Sequence, residues 1–193
     1  MWACGGDKAP GPNGLTFKFI KRYWDIISDD LMRTVRKFED YGTLSKGCNS
    51  SFITLAPKSK DPTFLVDFRS ISLIGCIYKI ISKVLATILK TIIGSVIDEV
   101  QSTYVEGRSI LEGPLIVNEI CSWVKKTKKK VLLFKLDFDK AFDSVNWEYF
   151  DSILNQMRFG NKWRKQFRGC LSSVHASVII NCSPTKEFNI LKG

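Results

Sequence analysis

The segment 134–145, which reads F-K-L-D-F-D-K-A-F-D-S-V, holds the residues with the clearest chemical potential. The apolar run 131–136 is too short for a helix, so it predicts a buried strand that ends at Asp137. A carboxylate at the end of a buried strand is costly unless its charge is compensated, and a hard divalent cation is one such compensation. Asp137 is therefore a candidate metal ligand. An aspartate that caps the following turn through its side chain is an equally good interpretation.

Length and composition indicate one ordinary domain or a compact piece of a larger one, since 193 residues at 45% hydrophobic content can bury a sizeable core. A net charge of +10 favours an anionic partner such as nucleic acid or an acidic membrane surface. The cysteines form no C-x-x-C pair, and the single histidine completes no metal-ligand spacing. No signal-peptide pattern opens the chain, and nothing distinguishes nucleus from cytoplasm.

Periodicity predicts the elements of the first half of the chain. Helical spacing of apolar residues covers 15–42, with a break near Ser28 and a stop at Gly42. Two short strands, 50–56 and 68–74, flank a basic loop. The long apolar stretch 75–97 carries Lys79, Lys83 and Lys90 on one face, which predicts an amphipathic helix and excludes a membrane span.

The second half continues the alternation of helices and strands. Ser109 begins a capping-box pattern for a helix that the lysine cluster 125–130 ends. Asn146 caps a helix that stops at Gly160, and another helix covers 161–171. Strands follow at 174–180 and 186–190. His175 has no partner for nucleophilic catalysis in this pattern, so we expect it to be structural.

A series of segments, in the right order, resembles reverse transcriptases of non-LTR (LINE-type) retrotransposons, most closely those of plants. The matching segments are 8–14 (family K-x-P-G-P-D-G), 56–58 (apolar-Pro-Lys), 68–73 (F-R-P-I-S-L), 101–109 (Q-x-x-F-x-x-G-R-x), 137–145 (first catalytic motif) and 183–188. Any one of these is modest evidence, whereas the ordered set is strong evidence.

The resemblance implies an α+β fold: a partial right-hand polymerase, fingers plus the beginning of the palm, with short antiparallel strands packed with helices. Residues 1–193 would form a partial reverse transcriptase domain, about 14–108 fingers and about 109–193 the start of the palm. The implied activity is RNA-directed DNA polymerisation on an RNA template and a DNA primer with deoxynucleoside triphosphates. No membrane partner is implied, and the oligomeric state stays open.

The family also implies roles for individual residues. Asp137 would bridge two Mg²⁺ ions, with the Phe138 backbone carbonyl as a further ligand. Lys58 and Arg69 correspond to finger residues that grip the incoming triphosphate, although long basic side chains are more often solvated surface groups.

Three further residues correspond to contacts with the sugar and the template. Phe142 matches an aromatic that excludes a 2′-hydroxyl, or it is simply a core residue. Gln101 and Arg108 are expected to touch the template backbone. The lysine stripe and the lysine cluster add attraction for nucleic acid or are only solvated faces.

The sequence also departs from the family pattern. Asn13 replaces an aspartate, Ser70 a proline and Cys182 a glycine. The chain lacks the R-Q-G-D-P segment and the aromatic-x-D-D motif, so we expect a truncated domain that is inactive alone. A non-catalytic RNA- or DNA-binding remnant is the alternative. A phosphatase or glycosyltransferase built on D-x-D fits poorly, because Lys140-Ala141-Phe142 lacks the expected turn residues.

Overall fold

The computed structural model describes residues 5–138, 140–141 and 143–193 and has a mixed α/β architecture, which confirms the predicted class at this coarse level. The helices are α1 (Phe17–Arg22), α2 (Trp24–Tyr41), α3 (Cys76–Val96), α4 (Glu112–Thr127), α5 (Trp147–Gln156) and α6 (Asn161–Ser172). The strands are β1 (Ser50–Pro57), β2 (Phe68–Ile74), β3 (His175–Ile180), β4 (Ser183–Pro184) and β5 (Phe188–Asn189). None of the helices in these ranges is both long enough and apolar enough to cross a bilayer.

β1 lies inside the sheet, between β2 and β3. It pairs antiparallel with β2, in a register that opposes Ala56 and Arg69, and parallel with β3, where Ser50 opposes His175. β3 also pairs antiparallel with β4 and β5. The expectation of antiparallel strands therefore missed the β1–β3 pair. Parallel neighbours need a long crossover, and the helices between β1 and β3 supply one.

The chain divides into two compact units. One comprises the described residues of Met1–Val84 and Phe142–Gly193, and the other those of Leu85–Ala141. In the first unit, α1 and α2 pack with the beginning of α3 around a small apolar core. The core residues are Phe17, Ile20, Cys76 and Ile80, with Trp24, Ile27, Leu31 and Val35 against them. The division into fingers and palm near residue 108 stays a prediction.

The first two helices separate at Tyr23, five residues before the break expected at Ser28. Thr16 caps α1 through a hydrogen bond from the Phe19 N–H (3.3 Å). Ser28 lies inside α2 because the apolar face on both sides of it packs on the core, and this burial outweighs the local capping tendency of serine. α2 ends at Gly42 in the left-handed conformation, as predicted.

The predicted strand 131–136 is not formed. The segment has no regular secondary structure and is exposed, and the exposed fractions of Leu132 and Phe134 are 89% and 76%. A strand needs a neighbour for its main-chain N–H and C=O groups, and no other described segment pairs with this one. Apolar composition and β propensity were therefore not sufficient to predict a strand at 131–136.

The predicted capping box at Ser109 is also wrong, whereas the cap at Asn146 and the end of α4 in the lysine cluster are confirmed; α5 ends at Gln156, before the stop predicted at Gly160. The Ser109 hydroxyl accepts from the Leu111 N–H (3.3 Å), and α4 begins only at Glu112. Asn146 caps α5 by accepting from the Tyr149 N–H (2.9 Å). Lys128, in the left-handed conformation, ends α4 within the lysine cluster, as expected.

The turn between β3 and β4 explains the departure at Cys182. Asn181 and Cys182 have φ values of +49° and +62° between the paired residues Ile180 and Ser183. A two-residue turn with positive φ at both positions favours Asn-Gly. A β-carbon at the second position costs about 1 kcal/mol relative to glycine, in agreement with the expectation from sequence.

Helix α6 crosses the end of α2 at a pair of glycines. A Cβ added to Gly169 would overlap the carbonyl oxygen of Gly42. Beside this crossing, the buried Gln166 side chain donates to the Glu39 carbonyl (2.8 Å). The close approach of the two backbones therefore requires a residue without a side chain at position 169.

We predict that Gly169→Ala lowers the free energy of unfolding by about 1–3 kcal/mol, because the added methyl must push two backbones apart. Gly94→Ala in α3 is the matched control, since its new Cβ meets nothing within 4 Å. We expect Gly94→Ala to be neutral or stabilising by up to about 1 kcal/mol. Urea denaturation of both variants measures the difference, and equal effects would contradict the close approach.

Candidate functional site

The β1–β2 hairpin brings Lys58 and Arg69 to one face. Ala56 opposes Arg69, and the Lys58 N–H extends the ladder by donating to the Asp67 carbonyl (2.7 Å). Residues two apart on a strand share a face, so Lys58 lies diagonally opposite Arg69 at about 7–8 Å. Both residues are exposed. The register thus puts Lys58 and Arg69 on the same face of the hairpin, and their role in nucleotide binding stays a prediction.

The loop between these strands is closed by Asp67, which the sequence analysis did not single out. One Asp67 carboxylate oxygen accepts from the N–H groups of Thr63 (3.0 Å) and Phe64 (2.9 Å). The Lys58 ammonium donates to the Val66 carbonyl (2.7 Å). The available signal was the three-residue spacing of Phe64 and Asp67, typical of the acidic half of a capping box.

The same contacts lower the pKa of Asp67. The main cause is the hydrogen bond from the Phe64 N–H, followed by the bond from Thr63, and the nearby Lys58 adds a smaller electrostatic contribution. All of these favour the ionised carboxylate. The conformation of the loop that carries Lys58 therefore depends on a charged Asp67.

Asp137 and Phe138 lie in the exposed segment without regular secondary structure that follows α4, and the exposed fraction of Phe138 is 74%. Within residues 5–138, 140–141 and 143–193, no three His, Cys, Asp or Glu side chains are grouped so as to hold a metal ion. The described residues therefore do not fit a two-ion magnesium site by themselves, since such a site needs several oxygen ligands. Phe142 lies outside the described residues.

Arg108 and Gln101 are both engaged in the connection between α3 and α4. The Arg108 guanidinium donates to the main-chain carbonyls of Gly94, Ile97, Asp98 and Gln101. The Gln101 side-chain amide donates to the carbonyl and the hydroxyl of Thr103, both at 3.1 Å. The template contacts of these two residues stay predictions.

His175 has local main-chain contacts. Its Nδ1 lies 2.9 Å from the Ser173 carbonyl oxygen, and its backbone N–H donates to the Asn49 carbonyl (3.3 Å). These contacts connect β3 to the segments that precede β1 and β3. They support the structural role expected for this residue.

Comparison with known proteins assigns the family. The family model described as reverse transcriptase (RNA-dependent DNA polymerase) matches residues 56–193. The chain belongs to the reverse transcriptase family. This reverse transcriptase chain is also 31% identical over 191 residues to the transposon TX1 uncharacterized 149 kDa protein of Xenopus laevis. The match covers 97% of the chain and 14% of that protein.

The matched range includes Lys58, Arg69 and Asp137. The predicted resemblance to reverse transcriptases is thus confirmed, and so is similarity to a transposon protein. A plant origin stays a prediction.

We predict that the amide proton resonances of Thr63 and Phe64 titrate with a midpoint below 3.8, the ordinary pKa of aspartate. The depressed pKa means that the stabilisation of the loop is complete above about pH 4. It is lost as the pH falls through the lower folded-state value. NMR spectra collected between about pH 6 and about pH 2, the range in which carboxylates titrate, test this expectation.

Asp67→Asn should abolish the titration of these two amides, whereas Asp61→Asn, in the same loop, should leave it unchanged. A midpoint at or above 3.8 in the unmodified chain would show that Asp67 does not hold the loop.

Proposed function

We propose that this chain forms the fingers and the first part of the palm of an RNA-directed DNA polymerase from a non-LTR retrotransposon. The family match and the transposon relative support this proposal. Its substrates are an RNA template, a DNA primer and deoxynucleoside triphosphates. Within it, residues 14–108 are fingers and 109–193 are palm. Phe142 contacts the sugar, while the segment with Gln101 and Arg108 lies on the template side.

The observation that carries the proposal is the shared face of Lys58 and Arg69 on the β1–β2 hairpin. A triphosphate presents several anionic oxygens, which an ammonium and a forked guanidinium bind with charge-assisted hydrogen bonds. Asp67 holds the loop beside them through the Thr63 and Phe64 N–H groups. The hairpin is therefore suited to hold the phosphates of an incoming nucleotide.

We propose Asp137, with the Phe138 carbonyl, as ligands for Mg²⁺. Bound there, such ions would supply positive charge beside the primer hydroxyl and the leaving pyrophosphate. Two divalent ions about 3.5–4 Å apart repel each other and need several anionic ligands. The described residues gather no such set around Asp137. Further carboxylates must therefore complete this site.

A polypeptide of these 193 residues is predicted to show no primer extension on poly-rA/oligo-dT with Mg²⁺ and dTTP, because the sequence lacks the aromatic-x-D-D motif whose carboxylates would share the ions with Asp137. Gel analysis of labelled primer measures this result, with a complete reverse transcriptase as positive control. Extension that Asp137→Ala abolishes would overturn the prediction of inactivity and support the role of Asp137. Primer extension that survives Asp137→Ala would contradict both the predicted inactivity of the chain and the proposed role of Asp137.

The alternative function is nucleic-acid binding without catalysis. The net charge of +10 favours this alternative, because phosphate contacts by lysine and arginine dominate nucleic-acid affinity. Binding of this kind weakens steeply with salt and does not depend on Asp137. RNA binding that is unchanged in Asp137→Ala, together with absent dTTP binding, would favour it.

We predict that Arg69→Ala weakens dTTP binding about tenfold, because it removes charge-assisted hydrogen bonds to phosphate. Arg36→Ala is the matched control, since it removes an exposed arginine from α2, remote in sequence from the hairpin. Isothermal titration calorimetry with dTTP and Mg²⁺ measures both variants. Equal affinities of the two variants for dTTP would show that the hairpin is not part of the nucleotide site.

A further inference from the structure

Arg108 is a half-buried cation bound entirely by the main chain of its own connection. Its Nη1 donates to the carbonyls of Asp98 (2.5 Å) and Gln101 (2.7 Å). Its Nη2 donates to the carbonyls of Ile97 (2.9 Å) and Gly94 (3.4 Å). Both terminal nitrogens are therefore occupied, and only Nε–H is left for another acceptor.

One of these acceptors belongs to the last turn of α3, and the other three belong to the segment that follows the helix. Gly94 is in the last turn of α3, which ends at Val96, and Ile97 and Asp98 follow the helix. Gln101 lies further along the connection, where its own N–H donates to the Asp98 carbonyl. The last carbonyls of a helix have no partner within the helix and carry the negative end of its dipole. A guanidinium satisfies several of them at once, which an ammonium with a single donor atom does less well.

A second contact fastens the same connection to α3. Glu106 and Lys90, which is part of the predicted basic stripe, form an ion pair of 2.5 Å. Asp98 accepts from the Val100 N–H (2.9 Å). The loop 98–108 is thus tied to α3 both at Arg108 and at Glu106, and it exposes Tyr104, whose exposed fraction is 90%.

We propose that Arg108 is a positioning residue: it closes the carboxyl end of α3 and fixes the loop 98–108. Arg108 affects template binding by holding that loop in place, not by contacting a phosphate itself. The effect on the template rests on the proposed function, whereas the closure of α3 does not. Arg108 is thereby distinguished from Arg69, which is exposed on the β1–β2 hairpin.

Hydrogen–deuterium exchange of the free chain tests the closure, with the variants Arg108→Ala and Arg108→Lys. Amides in 97–108 should exchange about tenfold faster in both variants, because neither side chain satisfies the carbonyls as the guanidinium does. Lys126→Ala, which removes an exposed cation from α4, should leave this exchange unchanged. Unchanged exchange in Arg108→Ala would overturn the proposal. If circular dichroism shows that Arg108→Ala is unfolded, Arg108→Lys decides the question.

Binding of a single-stranded oligo-rU at several salt concentrations tests whether Arg108 acts on RNA through the loop or by direct contact with a phosphate. Arg108→Ala should keep the slope of log K against log salt, and Arg108→Lys should lose affinity as Arg108→Ala does. A slope reduced by about 0.7 in Arg108→Ala, with the slope and affinity retained in Arg108→Lys, would indicate a direct phosphate contact and overturn the proposal. If the unmodified chain binds no RNA, the proposed function fails, while the exchange experiment still decides the role of Arg108.

Discussion

The pairing of β1 along both of its edges is the constraint on which the first compact unit depends. β2 satisfies one edge and β3 the other, so a segment early in the chain is joined to one near residue 175. Just before β1, the Asn49 side-chain amide donates to the Cys170 carbonyl (2.9 Å) and the Ser173 hydroxyl (2.8 Å). These contacts help to anchor the hairpin that carries Lys58 and Arg69, because β2 pairs with β1.

Several charged residues of this chain bind main-chain groups of the same chain or form ion pairs with one another. Asp67 accepts from main-chain N–H groups, and Arg108 donates to main-chain carbonyls. Asp151 accepts from Arg164 (2.6 Å), and their exposed fractions are only 18% and 12%. This hydrogen bond lowers the pKa of Asp151, with Arg168 contributing. A net charge of +10 therefore overstates how many of the basic groups are available to a ligand.

The departures from the family pattern have small, local effects in the structure. Asn13 retains the acceptor that an aspartate would supply, because its side-chain oxygen accepts from the Leu15 N–H (3.3 Å). Ser70 lies in the edge strand β2 opposite Leu55, a position where a proline or another residue is tolerated. Only Cys182 adopts a conformation that favours glycine. These substitutions are compatible with the fold of the hairpin regions that carry them.

Local signals predicted much of the secondary structure. The lengths of β1, β2 and α3 followed from periodicity, and the caps at Gly42 and Asn146 followed from residue type. These features depend on neighbours within a few residues, which the sequence displays directly. Lys58 and Arg69 were singled out by the resemblance to the family, and their role in nucleotide binding stays a prediction.

The sequence by itself determined the helices, the hairpin, the family and the candidate residues. Tertiary structure alone decided the parallel β1–β3 pair, the exposure of residues 131–136 and the engagement of Arg108. Each of these depends on which distant groups satisfy a backbone N–H or C=O group. Residue type states what a group is able to bind, whereas only the folded chain determines which partner comes within hydrogen-bonding distance.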